Sequence, residues 1–435
     1  MRHSPAMAEA NLNYYDSLYG QVSFRGALAG LIGSPVLQRM RHVRLSNIDS
    51  IAMPGIANLS RYEHVLGVGH LAQHVGFLSQ LGSLDRLALG AAALLHDWII
   101  TAFGHLVEEA FKYLETGFDH ESRMRELLSH DEALGEIGFL DRQILGGRQT
   151  NLRPWAKRAV GEFEADLLLE RIMEAINGRG PLGRLISGEM DLDNIDNVYR
   201  MAYHMGMSVD RSLPLRLAAN MAGVAKSGNP IFRQVAENDV ATWLDTRALV
   251  YSRLMPAEPD FAMKMMIIFA AIEAQKIGEI RTSDWHMTDS DFISLLQKSK
   301  SPAARDTIQR WLAGEFWETI PLQWISGQRP SYSELLSFSE VVSAKLNRQC
   351  FAYGIKDKRH RVVEVEFDDG SCRSFGQKPN AWLFGLGSPK RQSFTNSETQ
   401  LVIGLLNERF HTEALGVPDS LFSSGPSSEE PACLF

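Results

Sequence analysis

The chain of 435 residues is long enough to bury one large hydrophobic core and a smaller appended domain. Hydrophobic residues make up 45% and charged residues 22% of the sequence, as in an ordinary soluble globular protein. A net charge of −8 at pH 7 argues against a dedicated nucleic-acid-binding protein, because such proteins are usually basic.

No segment is predicted to enter a membrane. The N-terminal stretch Met1–Asn13 is polar and has no apolar signal core. The apolar stretch Met263–Ala274 is too short to cross a bilayer, and it carries Lys264. The three cysteines lack the spacing of metal ligands, which favours a reducing environment. We therefore expect a cytoplasmic protein.

Hydrophobic residues recur with a helical spacing of about 3.6 residues between roughly positions 25 and 320, without sustained two-residue alternation. Turns rich in glycine and proline separate these segments. The clearest predicted helices are Leu66–Leu81, Leu84–Leu95, Leu167–Ile176 and Phe261–Ile277. The pattern predicts a mainly α fold.

The pattern changes after about residue 345, where apolar and polar residues begin to alternate. Cys350–Ile355, Val362–Phe367 and Arg373–Gln377 are predicted strands, and Glu398–Phe410 is a predicted closing helix. This part of the chain is therefore expected to form a small C-terminal α+β lobe.

These patterns divide the chain into four parts. They are an N-terminal segment (1–24), a helical domain with a helical extension (25–345), the small α+β lobe (346–415) and a tail (416–435). The tail is rich in Ser, Pro and Glu, a composition typical of disordered segments.

The pair His96–Asp97 follows the apolar run Ala91–Leu95. Imidazole and carboxylate groups are ligands for Zn, Fe, Mn, Ni or Mg. Because an unpaired buried carboxylate is costly, a cation is expected beside Asp97. A helix end whose polar residues reach solvent would give the same dipeptide.

Two further segments place similar side chains at the edges of predicted helices. His64 ends the segment Arg61–His64, and Asp191–Asp196 contains three acidic residues. The residues alone do not decide which of the three would be a ligand. The order of a His, a His-Asp pair and a distant Asp resembles that of the HD superfamily of metal-dependent phosphohydrolases.

The closer resemblance is to the deoxynucleoside triphosphate triphosphohydrolases of that superfamily, which include bacterial dGTPases and the vertebrate sterile-alpha-motif/HD enzyme. Four segments resemble the family's Asp-Pro-Val-His-Gly, Thr-Pro-x-Phe-Gln-Arg-Leu-Arg, Pro-Gly-Ala and Arg-Phe-Glu-His-Ser-Leu-Gly motifs. They are Asp16–Gly20, Leu31–Arg41, Met53–Ala57 and Arg61–Gly67. The match runs in order over roughly half of the chain and implies an HD-domain helical core.

The resemblance implies one divalent metal ion, either Mn, Mg, Fe, Ni or Zn. The residues that match the family's ligands are His64, His96, Asp97 and Asp193. Such an ion polarises a phosphoryl oxygen or lowers the pKa of its bound water.

His105 and Glu108 are three residues apart and share one face of a helix. A carboxylate in that position can orient an imidazole for general acid–base catalysis, although a surface pair would show the same spacing. The resemblance implies that His105, Glu108 and His120 are catalytic and that Arg61 and His120 bind substrate phosphate. A polar cluster at a helix start explains His120 equally well.

The chain departs from the family at residues that contact substrate. The family's metal Asp is followed by a Lys that holds phosphate, a Tyr beside the sugar and an Asp that bonds the 3′-hydroxyl. Asn194, Asn197 and Met201 stand at these positions, and Leu45 stands where a glutamine helps to read the sugar. The base and sugar preference therefore stays open.

The leading functional hypothesis is a phosphohydrolase that cleaves dNTPs to deoxynucleoside and triphosphate. One alternative is an HD-type phosphatase or phosphodiesterase acting on another phosphate ester, such as a nucleoside monophosphate. A second is a non-catalytic nucleotide sensor or regulatory subunit. The resemblance also implies a homo-oligomer, a nucleotide allosteric effector and, for some bacterial members, antiviral defence through lowered dNTP pools.

Overall fold

The computed structural model describes residues 11–114, 152–390 and 392–418. Within these ranges the fold is mainly α-helical with an α+β region toward the C-terminus, as the sequence predicts. The first ten residues of the N-terminal segment and the tail from residue 419 lie outside the described residues.

Helices dominate the first half of the described chain. They are α1 (Gly26–Ile32), α2 (Pro35–Gln38), α3 (Arg61–Ala72), α4 (Ser83–Leu95), α5 (His105–Tyr113), α6 (Arg153–Val160), α7 (Ala165–Ile176), α8 (Gly183–Ile186), α9 (Leu192–His204) and α10 (Leu213–Ala219). Side chains cap the two helices that begin nearest the candidate ligands. Ser60 accepts a hydrogen bond from the amide of Glu63 at the start of α3, and Asp191 accepts one from the amide of Asn194 in α9.

Helices continue through the second half, where strands lie between them. They are α11 (Glu237–Leu254), α12 (Glu258–Lys276), α13 (Asp289–Gln297), α14 (Pro302–Leu312), α15 (Tyr332–Leu346) and α16 (Asn396–Phe410). Short 3-10 helices occupy Arg39–His42, Pro54–Ile56, Leu78–Gln80, Gln234–Ala236 and Thr282–His286.

The described strands form one hairpin and two larger sheets, each of which contains strands from distant parts of the chain. The strands are β1 (Asn11–Asp16), β2 (Gly20–Arg25), β3 (Met221–Val224), β4 (Pro230–Phe232), β5 (Glu318–Thr319), β6 (Gln323–Ser326), β7 (Phe351–Lys356), β8 (Val362–Phe367), β9 (Cys372–Gly376), β10 (Ala381–Ser388) and β11 (Ala414–Gly416). Strands β1 and β2 pair as the hairpin, and β10 pairs with β5, β6 and β7. Strand β8 pairs in parallel with β4 and antiparallel with β9. Both larger sheets thus join strands from either side of residue 345, and the four-part division of the chain stays a prediction.

The predicted helices are present with shifted ends. Helix α3 begins five residues before the predicted Leu66, because the Ser60 cap starts it at Arg61. It ends at Ala72, and the amide of Gly76 then donates a hydrogen bond of 3.0 Å to the carbonyl of Ala218. This contact between distant parts of the chain is not visible in a local hydrophobic pattern.

Helix α12 lies at the centre of the core. Its residues from Phe261 to Ile272 are buried on all sides, and it packs against α14 and α5. Helix α3 packs against α4 and α9, which brings the C-terminal end of α4 next to the first turn of α9. Among the described residues, no helix is long and apolar enough to cross a membrane.

Gly67 allows the close approach of α3 and α9. A Cβ atom at this position would lie 2.1 Å from Oδ1 of Asp196 and 2.2 Å from Nη2 of Arg200. Both side chains are fully buried and form an ion pair at 2.9 Å, so neither can swing away into solvent. A glycine is therefore required at this helix crossing.

We expect Gly67→Ala to lower the free energy of unfolding by about 3 kcal/mol, because the methyl group must displace a buried ion pair. Chemical denaturation followed by circular dichroism measures this. Gly404→Ala is the matched control, since Gly404 lies inside α16 with no heavy atom within 4 Å of the added Cβ. That variant should be as stable as the wild type or slightly more stable. Equal unfolding midpoints for Gly67→Ala and the wild type would contradict the packing argument.

Candidate active site

The described structure brings the predicted metal ligands into one cluster. Ligand atoms of His64, His96 and Asp97 lie within 4.8 Å of one another, and all three residues are buried. Asp193 joins them from the first turn of α9. Its Oδ1 lies 2.9 Å from Nε2 of His64 and 3.6 Å from Nε2 of His96.

The two imidazoles are oriented as metal ligands usually are. Nδ1 of His96 donates to the carbonyl of Ala93 at 2.9 Å, and Nδ1 of His64 donates to Oδ2 of Asp196 at 2.7 Å. These bonds direct Nε2 of both rings toward Asp193. Nε2 of His96 is a buried nitrogen without a hydrogen-bond partner among the described residues.

The spacing and charge of these groups fit a divalent ion. Ligands held at about 2.1 Å from one ion lie roughly 3–4 Å apart, which matches the distances of 2.9–3.7 Å in the cluster. Burial lowers the pKa of His96, but Asp97 and Asp193 outweigh it and raise that pKa to about 9. The carboxylates thus create a negative field that a cation would balance, and the donors suit Mn, Mg, Fe, Ni or Zn.

Both carboxylates of the cluster are ionised. Burial alone would raise the pKa of Asp97, but Arg61 and His96 hold it below its usual value. The pKa of Asp193 is likewise well below its usual value, because His96 and His64 outweigh its burial. Ionised carboxylates are the form that binds a metal ion.

A buried ionic network holds His64 in place from behind. Arg200 is fully buried and contacts Asp196, Asp16 and Glu63 at 2.9–3.1 Å. Burial tends to raise the pKa of Asp196, but Arg200 and His64 lower it to about 2. Asp196 therefore stays ionised and accepts a hydrogen bond from Nδ1 of His64. This bond fixes the orientation of the imidazole ring.

Arg61 lies beside the cluster at the start of α3. One of its guanidinium nitrogens donates to Oδ2 of Asp97, and the other donates to Oδ1 of Asn47 at 3.0 Å. A Cβ atom at Gly104 would lie 2.0 Å from Oδ1 of Asn47. Gly104 also has a φ of 58°, so a residue without a side chain is favoured there for two reasons.

His105 follows the loop that contains Gly104 and is the first residue of α5. Its Nδ1 lies 3.1 Å from Oε2 of Glu108, and Oε1 of Glu108 accepts a hydrogen bond of 2.7 Å from Lys112. The His105 side chain is 43% exposed, whereas that of Glu108 is 4% exposed. The loop itself is held by Asp289, which accepts a hydrogen bond from the amide of Phe103, a residue with a φ of 53°.

One cavity contains most of the predicted site. It is lined by Arg61, His64, Asp97, His105 and Asp193, among others. His120 lies outside the described residues.

The positions of altered substrate contacts fall into two groups. Leu45, Asn197 and Met201 line the cavity. Asn194 instead donates through its side chain to Asp191 at 3.0 Å, within the cap of α9. Asp191 is engaged there, and its burial beside Asp193 raises its pKa to about 7.

Sequence reasoning did not identify Asn47, Lys264 or Lys358 as site residues, although all three line or border the cavity. A single lysine inside the otherwise apolar run of α12 was the available signal for Lys264. Nothing local distinguishes Asn47 or Lys358 from other loop residues. Asp196 pairs locally with Arg200, but its bond to His64 is a long-range contact that a local pattern does not show.

We expect Asp196→Asn to weaken divalent-metal binding by about 10- to 100-fold, because an amide cannot supply the charge that orients His64. Competition against a metal indicator, at a temperature where the variant is folded, measures this. Asp210→Asn is the control, since Asp210 is half-exposed and pairs with Arg216. An unchanged metal affinity for Asp196→Asn would contradict the positioning role.

Comparison with known proteins finds several deoxynucleoside triphosphate triphosphohydrolases among the similar proteins. The chain matches none of the protein-family models. It is 24% identical over 314 residues to the deoxynucleoside triphosphate triphosphohydrolase SAMHD1 of Xenopus laevis, which covers 63% of this chain and 46% of that protein. The corresponding enzyme of Bos taurus is 25% identical over 62% of the chain and 48% of its own length. That of Homo sapiens is 24% identical over 76% and 58%.

The chain spans about half the length of these curated relatives. The similarity covers most of the chain, and the buried His-His-Asp cluster could hold a metal ion. The chain is therefore related to the HD-type deoxynucleoside triphosphate triphosphohydrolases.

Proposed function

We propose that this protein is a metal-dependent phosphohydrolase that converts dNTPs to deoxynucleoside and inorganic triphosphate. The observation that carries the proposal is one cavity lined by residues of a metal-type cluster, by a guanidinium and by His105, whose imidazole is paired with the carboxylate of Glu108. The names of the similar proteins support dNTPs as the substrate.

In this proposal His64, His96, Asp97 and Asp193 hold one divalent ion. When bound, such an ion would polarise a phosphoryl oxygen and make a nearby water more acidic. The protein supplies the fixed Nε2 atoms of the two imidazoles and the two ionised carboxylates.

His105 is the general acid–base group of the proposed reaction. Water attacks the α-phosphorus, the bond from this phosphorus to the 5′-oxygen breaks, and the leaving oxygen takes up a proton. Glu108 accepts a hydrogen bond from Nδ1 of His105, which orients the ring. Proton transfer to or from Nε2 of a ring held in this way is general acid–base catalysis.

Arg61 would bind phosphoryl oxygens, since a guanidinium clamps such groups through two parallel hydrogen bonds. It already lies against Asp97, so a bound phosphate would be adjacent to the cluster. His120 is proposed as a second phosphate-contacting histidine on the resemblance alone.

A second candidate is hydrolysis of another phosphate ester, such as a nucleoside monophosphate. The altered contacts favour it, because Leu45 and Met201 present apolar side chains to the cavity and Asn194 is engaged in a helix cap. Losing a charged phosphate contact typically weakens binding by a few kcal/mol. A cytoplasmic location, a homo-oligomer and a nucleotide effector are further parts of the proposal that rest on the sequence.

Product analysis tests the proposed reaction. The purified protein is incubated with Mn or Mg and with each dNTP, singly and mixed, and the phosphate products are separated by ion-exchange chromatography. We expect inorganic triphosphate from the wild type and none from His96→Ala, which lacks one metal ligand.

Two further variants sharpen the result. His105→Ala should keep the metal and lose about 10²- to 10⁴-fold in kcat, as expected for removal of an acid–base group. His42→Ala, at an exposed histidine of the 3-10 helix Arg39–His42, should match the wild type. Orthophosphate as the product would favour the second candidate. Metal binding without turnover of any nucleotide would favour the non-catalytic sensor.

A further inference from the structure

The cavity that holds the candidate metal cluster has a second wall built from distant parts of the chain. Helix α11 contributes apolar and aromatic side chains to it, α12 contributes Lys264, and the segment after β7 contributes Lys358. Among the described residues that line the cavity, the only carboxylates are Asp97 and Asp193 of the cluster. The second wall therefore carries two cations and no acidic side chain.

Lys264 is a buried cation that faces this cavity. The residue is 8% exposed, and among the described residues it forms no ion pair and donates no side-chain hydrogen bond. Burying an ammonium group without a partner is costly. The natural explanation is that its partner is an anionic ligand of the cavity.

The carboxylates nearest to Lys264 are occupied by other groups. Asp260, one turn earlier in α12, accepts hydrogen bonds from the hydroxyl of Ser50 and from backbone amides that follow it. Glu109 accepts a hydrogen bond from a tyrosine hydroxyl. Burial lowers the pKa of Lys264, Asp260 and Glu109 oppose this, and Lys358 lowers the pKa further.

Lys358 is exposed, but its backbone is fixed. Its carbonyl accepts a hydrogen bond from the guanidinium of Arg247, and its amide donates to Sδ of Met255 at 3.4 Å. These contacts hold the residue at the cavity, with Nζ 5.8 Å from the centre of the Tyr251 ring. Lys264 and Lys358 repel each other across the cavity, and an anion with several charges would relieve that repulsion.

We infer that Lys264 and Lys358 bind the polyphosphate tail of the substrate, beyond the phosphate that is cleaved. The inference rests on the proposed function, because the metal cluster sets where cleavage occurs. The two lysines supply the cationic contacts that Asn194 cannot supply. A substrate with a single phosphate would reach the cluster without using this wall, so the wall favours a nucleoside triphosphate over a monophosphate.

Binding of inorganic tripolyphosphate tests this without any catalytic step. Isothermal titration calorimetry with the full chain in EDTA gives the dissociation constant for tripolyphosphate and for orthophosphate. We expect the wild type to bind tripolyphosphate at least about tenfold more tightly than orthophosphate. Lys264→Met should weaken tripolyphosphate binding by about tenfold and Lys358→Met by roughly fivefold.

Matched controls lie on the same elements. Lys276→Met in α12 and Lys356→Met in β7 remove lysines that do not line the cavity, and both should bind tripolyphosphate like the wild type. Lys264→Arg keeps the charge and should retain most of the binding. If Lys264→Met fails to fold, Lys358→Met decides, since Lys358 is exposed.

The outcomes separate this inference from the proposed function. Tripolyphosphate binding that is equal in the wild type, Lys264→Met and Lys358→Met overturns the inference, whatever the hydrolysis assay gives. Binding that depends on both lysines supports it, even if no dNTP is hydrolysed with metal present. In that case the proposed reaction is wrong, and the cavity is still a polyphosphate site.

Discussion

The rest of the site depends on the ion pairs that the buried guanidinium of Arg200 forms. This guanidinium joins Asp16 of the N-terminal hairpin, Glu63 of α3 and Asp196 of α9 in one network. A buried network of this kind is costly unless every member is paired, so its loss would leave several charges unsatisfied. Because Asp196 also orients His64, the same contacts that fix the helix crossing fix the candidate metal ligands.

Different parts of the fold contribute the candidate catalytic residues and the opposite wall of the cavity. Helices α3, α4, α5 and α9 carry the cluster and the His105–Glu108 pair, whereas α11, α12 and the segment after β7 form the opposite wall. The proposed chemistry of phosphate cleavage therefore rests on the first of these two groups of elements. The residues at the positions of the family's substrate contacts differ from those of the family. The proposed reaction class is for this reason better supported than the proposed substrate.

The fold class and the candidate ligands could be predicted from the sequence for different reasons. Helical periodicity is a local property, and few residue types bind a divalent ion, so His96–Asp97 and His64 were informative once taken together. Strands β3 to β6 have two to four residues and show no measurable alternation. Lys264 and Lys358 become neighbours only through tertiary packing, and a local pattern cannot reveal such a contact.

The most direct test of the central claim is hydrolysis of a dNTP in water enriched in oxygen-18, with mass spectrometry of the products. Attack on the α-phosphorus predicts that the label enters the released triphosphate and that the deoxynucleoside stays unlabelled. Label in orthophosphate, released with a deoxynucleoside diphosphate, would contradict the account. It would place the attack at the terminal phosphorus instead.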